Sequence, residues 1–179
     1  MNADFITVSD IISIFSLIVV IIGGVFTYIQ WKNNVSLNRA NYINELTEKI
    51  RTDESIKDTV YLLDYGKKWY SREFHGDKEI EPKVDKTLSY FSYICYLKAE
   101  KIISKKEFMF FKYEVERFLM NEQVQDYFYN LYHFANKFDV PFTFYYLFRY
   151  GEQKGAFDKQ FFDMTSYKVV EKYHRYLNF

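Results

Sequence analysis

Two stretches of this 179-residue chain mix cationic and aromatic side chains at short spacing. One is Lys67, Lys68, Trp69 and Tyr70, with Arg72. The other is Tyr146, Arg149, Tyr150 and Lys154, with Lys168, Lys172 and Arg175 further on. Single-stranded nucleic acid is held by such mixtures: cations track phosphates and aromatic faces stack on bases, at roughly 1–3 kcal/mol per base. A phosphate-bearing ligand, such as a small nucleic acid, is therefore one expectation for Lys67, Lys68, Trp69, Tyr70, Arg72, Arg149, Tyr150 and Lys154. The plainer expectation is composition. Aromatics are 22% of the chain, so most Lys and Arg have one nearby. Lys67 and Lys68 could also simply complement a helix C-terminus. A third group, Lys98, Lys101, Lys105 and Lys106, surrounds a helix–helix corner and reads as solvated.

Other chemistry finds no pattern. The three histidines, His75, His133 and His174, stand far apart, and none has a second His or Cys at metal-ligand spacing. His133 lies between Tyr132 and Phe134, as a core histidine would. Cys95 falls on an apolar helix face and reads as a small hydrophobe. The acidic pairs Asp53/Glu54, Glu79/Glu81 and Glu114/Glu116 flank helix starts or alternate on exposed faces rather than forming a catalytic pair. No nucleophile elbow, P-loop or dinucleotide fingerprint occurs. The expectation is a protein that is not an enzyme, with no catalytic residue, metal or cofactor.

Composition narrows the class. Lys plus Arg and Asp plus Glu are 24 each, so net charge excludes a strongly basic nucleic-acid protein. The aromatic content excludes disorder. A single Cys excludes a disulfide scaffold, and 6 Gly with 2 Pro disfavour a loop-rich β fold. The average hides a segregated chain. Residues 30–179 carry a net of +2, and 35 of the 39 aromatics follow residue 30. That is more than a core of this size needs, so part is expected at an oligomer or ligand interface.

Residues 11–29 (IISIFSLIVVIIGGVFTYI) contain no charge. At about 1.5 Å per residue, such a run spans close to 30 Å, a hydrocarbon core's thickness. In lipid the backbone must satisfy itself, which forces a helix despite the β-branched Ile and Val. Tyr28 and Trp31 fall where an interfacial aromatic belt lies. A signal peptide fits poorly, because MNADF has no basic residue and no small-residue cleavage pattern follows. Lys32, Arg39, Lys49 and Arg51 follow the run, and only Asp4 and Asp10 precede it. The N-terminus is then expected outside and the remainder in the cytoplasm. A lone Cys agrees with a reducing compartment.

Small and polar residues in the run share one face. Ser9, Ser13, Ser16, Val20, Gly23 and Thr27 recur at spacings of 4, 3, 4, 3 and 4, and Gly24 widens the stripe. Small residues let membrane helices approach, and hydroxyls bond across helices. The expectation is self-association, with a tetramer favoured, around a central pore lined by Ser and Thr. Chance is the plainer account.

The rest reads as helices. The boundaries are a short N-terminus over 1–10, a transmembrane helix over 11–30, a juxtamembrane helix over 31–52 and a helical domain over 53–179. Thr52 and Asp53 cap a helix running to about Tyr70, and 71–80 is a loop. Pro82 opens the next helix, with Val84, Leu88, Phe91, either Ile94 or Cys95, and either Leu97 or Lys98 on its apolar face. Ser104 and Glu107 make a capping box. Asn121 caps a helix carrying Val124, Phe128, Leu131, Ala135 and Phe138. Pro141 breaks the chain. Residues 142–150 read as a short helix, Gly151 and Gly155 as a loop, and 158–177 as a final helix. The fold class is all-α: one N-terminal transmembrane helix, then a cytosolic bundle.

The runs YLLDYGKKWY (61–70), FHG (74–76), KTLSYFSYICYL (86–97) and NEQVQDYFYNLYHF (121–134) resemble a group of small bacterial proteins with one N-terminal membrane helix and a helical cytosolic domain, some associated with anti-phage defence. The resemblance covers most of residues 10–150. It implies a bacterial inner-membrane effector, silent until infection, that then perturbs the bilayer. One kind, in Hailong-type systems, is an oligomeric channel regulated by a small DNA oligomer. A defence-system protein partner is also implied. Two other readings stand beside this one: a membrane-anchored adaptor that binds a protein through its aromatic domain, and, more distantly, an anchored enzyme. A His or two carboxylates in one polar cleft would favour the last.

Overall fold

The computed structural model describes residues 8–65, 68–169 and 172–178. They form seven α-helices and one 3-10 turn, with no strand among the described residues. The all-α expectation holds. The chain divides into two compact units, one ending at Leu46 and the next beginning at Thr47.

Helix α1 (Val8–Thr52) is unbroken over 45 residues. Its backbone is satisfied within itself, as an apolar run demands. It contains one stretch long and apolar enough to cross a membrane, and none of that window is buried by the chain. The rings of Tyr28 and Trp31 lie 6.1 Å apart at the end of the charge-free run.

In the second unit, α2 (Glu54–Asp64), α3 (Ile80–Ala99), α4 (Lys105–Met120), α5 (Glu122–Phe138), α6 (Tyr145–Lys154) and the short α7 (Ser166–Val169) follow in order. Helix α3 packs against α2, α4 and α6. It therefore buries residues on several sides: Val84, Leu88, Phe91, Ile94, Cys95 and Leu97. Burial pushes the Cys95 thiol up to about 12, so it stays a protonated, inert hydrophobe.

Local signals set most helix starts. Asp53 accepts from the backbone N–H of Ser55 and Ile56. Ser104 and Glu107 close both arms of their capping box, at 3.3 and 2.7 Å. Asn121 accepts from Gln123 and Val124. Each such cap satisfies N–H groups that the first turn leaves orphaned. Pro82 lies in the first turn of α3, and Phe108, Phe111, Val115 and Phe118 are buried as their spacing predicts.

Four expectations are corrected. Helix α2 stops at Asp64 rather than near Tyr70. The N–H groups of Trp69 and Tyr70 instead donate to Gln123 Oε1, at 2.6 and 3.0 Å. Their rings join Phe74 and Tyr127 in one buried cluster. Phe138 is exposed, because α5 turns Tyr127, Asn130 and His133 inward as well. Gly151 is not in a loop but inside α6, where a Cβ would stand 2.7 Å from the Phe157 ring and 2.9 Å from Leu119. Gly155, at φ 70°, is the left-handed C-cap. The final helix over 158–177 shrinks to Ser166–Val169.

Side chains replace the missing helical bonds at the C-terminal end. Asn130, fully buried, donates to the carbonyl of His174 at 2.7 Å and accepts from the N–H groups of Tyr176 and Leu177. Asp126 accepts from the His174 N–H at 3.2 Å. Asp158 receives the Tyr173 hydroxyl and the Phe161 N–H. The bonds from Asn130 and Asp126 cross more than forty positions, and no periodicity announces them.

Candidate functional site

Ser9, Ser13, Ser16, Val20, Gly23, Gly24 and Thr27 all lie on α1 and are exposed. The Ser13 hydroxyl donates to the Ser9 carbonyl at 2.9 Å and that of Thr27 to the Gly23 carbonyl at 2.8 Å. These hydroxyls are thus satisfied inside the helix, as such residues are in apolar surroundings. A Cβ at Gly23 or Gly24 meets nothing within 4 Å. No packing within the chain accounts for the two glycines.

The first basic–aromatic cluster separates. Lys67 lies outside the described residues. Lys68 and Arg72 are exposed. Trp69 and Tyr70 are 6% and 1% exposed and offer no open face to a base. The Tyr70 hydroxyl is 3.1 Å from His75 Nε2, whose ring faces Glu81 across 3.6 Å. Burial of these rings stabilises the core, and Trp69 and Tyr70 stand in the structure as core residues.

The second cluster stays together and gains members. Arg149 and Tyr150, on α6, line a cavity of about 270 Å³ with Cys95, Lys98 and Ala99 of α3, Tyr146 and Gln153. The Lys98 ammonium lies 4.0 Å from the Tyr150 ring centre and 4.7 Å from that of Phe108. Burial lowers the pKa of Lys98; the Lys154 and Lys105 charges add to that effect, and the Glu116 carboxylate opposes it. Among the described residues no carboxylate lies within 4 Å of it. Lys154 instead reaches Glu116 at 3.4 Å, which also accepts from the Tyr150 hydroxyl at 2.9 Å. Arg149 pairs with Glu152 at 2.7 Å and is exposed. The arrangement is an incompletely neutralised cationic pocket with aromatic walls, suited to a small anion carrying a planar group. Lys98, expected as a solvated member of the third basic group, is instead half-buried and part of this pocket. Its place on the apolar face of α3 was its sequence signal.

Lys68 belongs elsewhere. It lines a polar cleft of about 460 Å³ with Tyr70, Glu122, Gln123, Gln125, Asp126, Lys172, Tyr173 and His174. Here a histidine and a carboxylate do meet: His174 Nδ1 is 3.3 Å from Asp126 Oδ2. Burial raises the pKa of Asp126, and the His174 contacts oppose that. Such a pair can serve a general base. The lining contains no Ser, Thr or Cys among the described residues. Asp126 is also occupied in holding the His174 backbone.

His133 is a core histidine, 4% exposed, with Nε2 2.8 Å from the Phe161 carbonyl. Glu114 is taken by Arg117, which also reaches Asp64. Among the described residues, no group of three or more His, Cys, Asp or Glu could hold a metal ion. Neither a family model, nor a curated protein, nor a solved structure matches the chain.

Proposed function

We propose that the chain is a self-associating, single-pass membrane effector whose second unit senses an anionic ligand, in the bacterial anti-phage setting that its resemblance implies. The observation that carries the membrane part is the charge-free run of α1. Its large side chains are all open, and the chain buries none of that window. Exposed apolar surface costs about 25 cal/mol per Å² in water, so a run of this length needs lipid or other helices around it. The two glycines with open space beside them are where a second helix can approach. The proposed orientation places the N-terminus outside and the second unit in the cytoplasm.

The sensing site in this reading is the pocket of Lys98, Tyr146, Arg149 and Tyr150. A short single-stranded DNA oligomer is the probe. In liposomes holding a fluorescent dye, the oligomer releases dye from the wild-type chain and not from Gly23→Leu or Ser16→Leu chains that still insert. Dye release unchanged by both replacements would refute the stripe.

A membrane-anchored adaptor is the second reading. It is favoured by Tyr61 and Tyr65, exposed and stacked with ring centres 6.0 Å apart, a surface typical of protein contacts. Replacing residues 11–29 by an unrelated poly-Leu anchor separates the readings: an adaptor keeps its activity and the effector loses it.

A further inference from the structure

Helix α4 is apolar on two opposite sides. Phe108, Phe111, Val115 and Phe118 face inward. Met109, Tyr113 and Met120, with Phe110 beside them, face out and are 54–70% exposed. An apolar helix face is normally covered. The charges at its N-terminal end are equally unusual. Lys105 and Lys106 occupy the first turn, and Lys101 precedes it in a left-handed conformation at φ 57°. Cations at a helix N-terminus oppose the helix dipole. Among the described residues none of the three meets a carboxylate within 4 Å. The acids of α4 itself are engaged elsewhere: Glu107 in the capping box, Glu114 with Arg117, Glu116 with Tyr150 and Lys154.

We infer that the outer face of α4 is a docking surface for an anionic lipid bilayer. The inference rests on the reading that α1 crosses a bilayer. Met, Phe and Tyr side chains enter the boundary between headgroups and acyl chains, and the lysines at one end meet lipid phosphates, the combination that holds in-plane helices. Charge complementarity chooses this occupant: Lys101, Lys105 and Lys106 stand at one end of an apolar face, and the phosphates of an anionic bilayer supply the opposite charge beside the boundary that takes the Met, Phe and Tyr side chains.

The test uses the full chain in nanodiscs of phosphatidylcholine, alone or mixed with phosphatidylglycerol. A nitroxide is placed at Met109→Cys, and its accessibility to oxygen and to a water-soluble nickel chelate is measured. Cys95 is 3% exposed, so the label goes to the introduced thiol. Phe110→Cys repeats the test at an equally open position. The expected result is a several-fold rise in the oxygen-to-nickel ratio when phosphatidylglycerol is present. Lys105→Glu with Lys106→Glu should abolish that rise. A label that stays open to nickel in both discs overturns the inference, and so does one shielded from both reagents, which would mean protein covers the face. A parallel label at Ile22→Cys separates the two failures. If Ile22 is in lipid and Met109 in water, the anchor survives and the docking surface does not. If Ile22 is also in water, both fall.

Discussion

The charge-free run of α1 and the C-terminal stretch 172–178 solve opposite halves of the same problem. In that run the backbone is bonded within its own helix, while the large side chains find nothing in the chain to cover them. Over 172–178 the backbone finds almost nothing in itself. Tyr173 is buried, and the N–H and carbonyl groups lean on Asn130 and Asp126 of α5. The first segment is complete as a structure and incomplete as a surface. The second has no structure without the rest of the unit. A segment of the first kind waits for a partner outside the chain. One of the second kind spends its interactions inside it.

The largest break in this contrast comes from Asn130→Leu. It removes the donor to His174 and the acceptor for Tyr176 and Leu177 at a fully buried site, at a cost of about 3 kcal/mol. Thermal unfolding should shift down, and proteolysis should release the C-terminal stretch first. Gly151→Ala comes next. The new Cβ would stand 2.7 Å from the Phe157 ring, and such overpacking costs about 2 kcal/mol, read as a fall in the denaturation midpoint.

Much of the fold was legible because its determinants are local. Asp53, Ser104 and Asn121 cap helices with their own side chains, and each lies within three residues of the N–H groups it receives. The charge-free run needed only its length and composition. The end of α2 and the lost final helix were not legible, since Gln123, Asp126 and Asn130 act across 44–54 positions. Asn130 in the sequence is one of several polar residues on an aromatic-rich helix, and nothing there says that it replaces a helical ladder. Half of the candidate site was legible for a related reason. Arg149, Tyr150 and Lys154 are neighbours on α6, so their spacing announced them. Lys98 joins them only because α3 packs on α6. Trp69 and Tyr70 had the right types beside Lys68, but spacing cannot tell an exposed ring from a core one.

Smaller effects sharpen the comparison. Burial holds the imidazoles of His133 and His75 below the ordinary 6.5. The unfolded chain therefore takes up protons first as pH falls below 6.5, and the stability that these groups contribute above 6.5 is lost through that window. The slope is at most about 1.4 kcal/mol per pH unit for each group. It should be shallower in His133→Gln, as read by denaturation at pH 7.5 and 5.5. Gly23→Leu marks the lower end. A side chain at Gly23 meets nothing within 4 Å, so the melting of the second unit should be unchanged within about 0.5 kcal/mol.

That same replacement carries the most direct test of the central claim. The mass of the detergent-solubilised full chain, measured by light scattering with the detergent contribution subtracted, should correspond to a closed oligomer, with four copies favoured. For Gly23→Leu it should fall toward a single copy. A monomeric wild-type chain, or an oligomer that Gly23→Leu leaves intact, would contradict self-association through the small-residue face of α1.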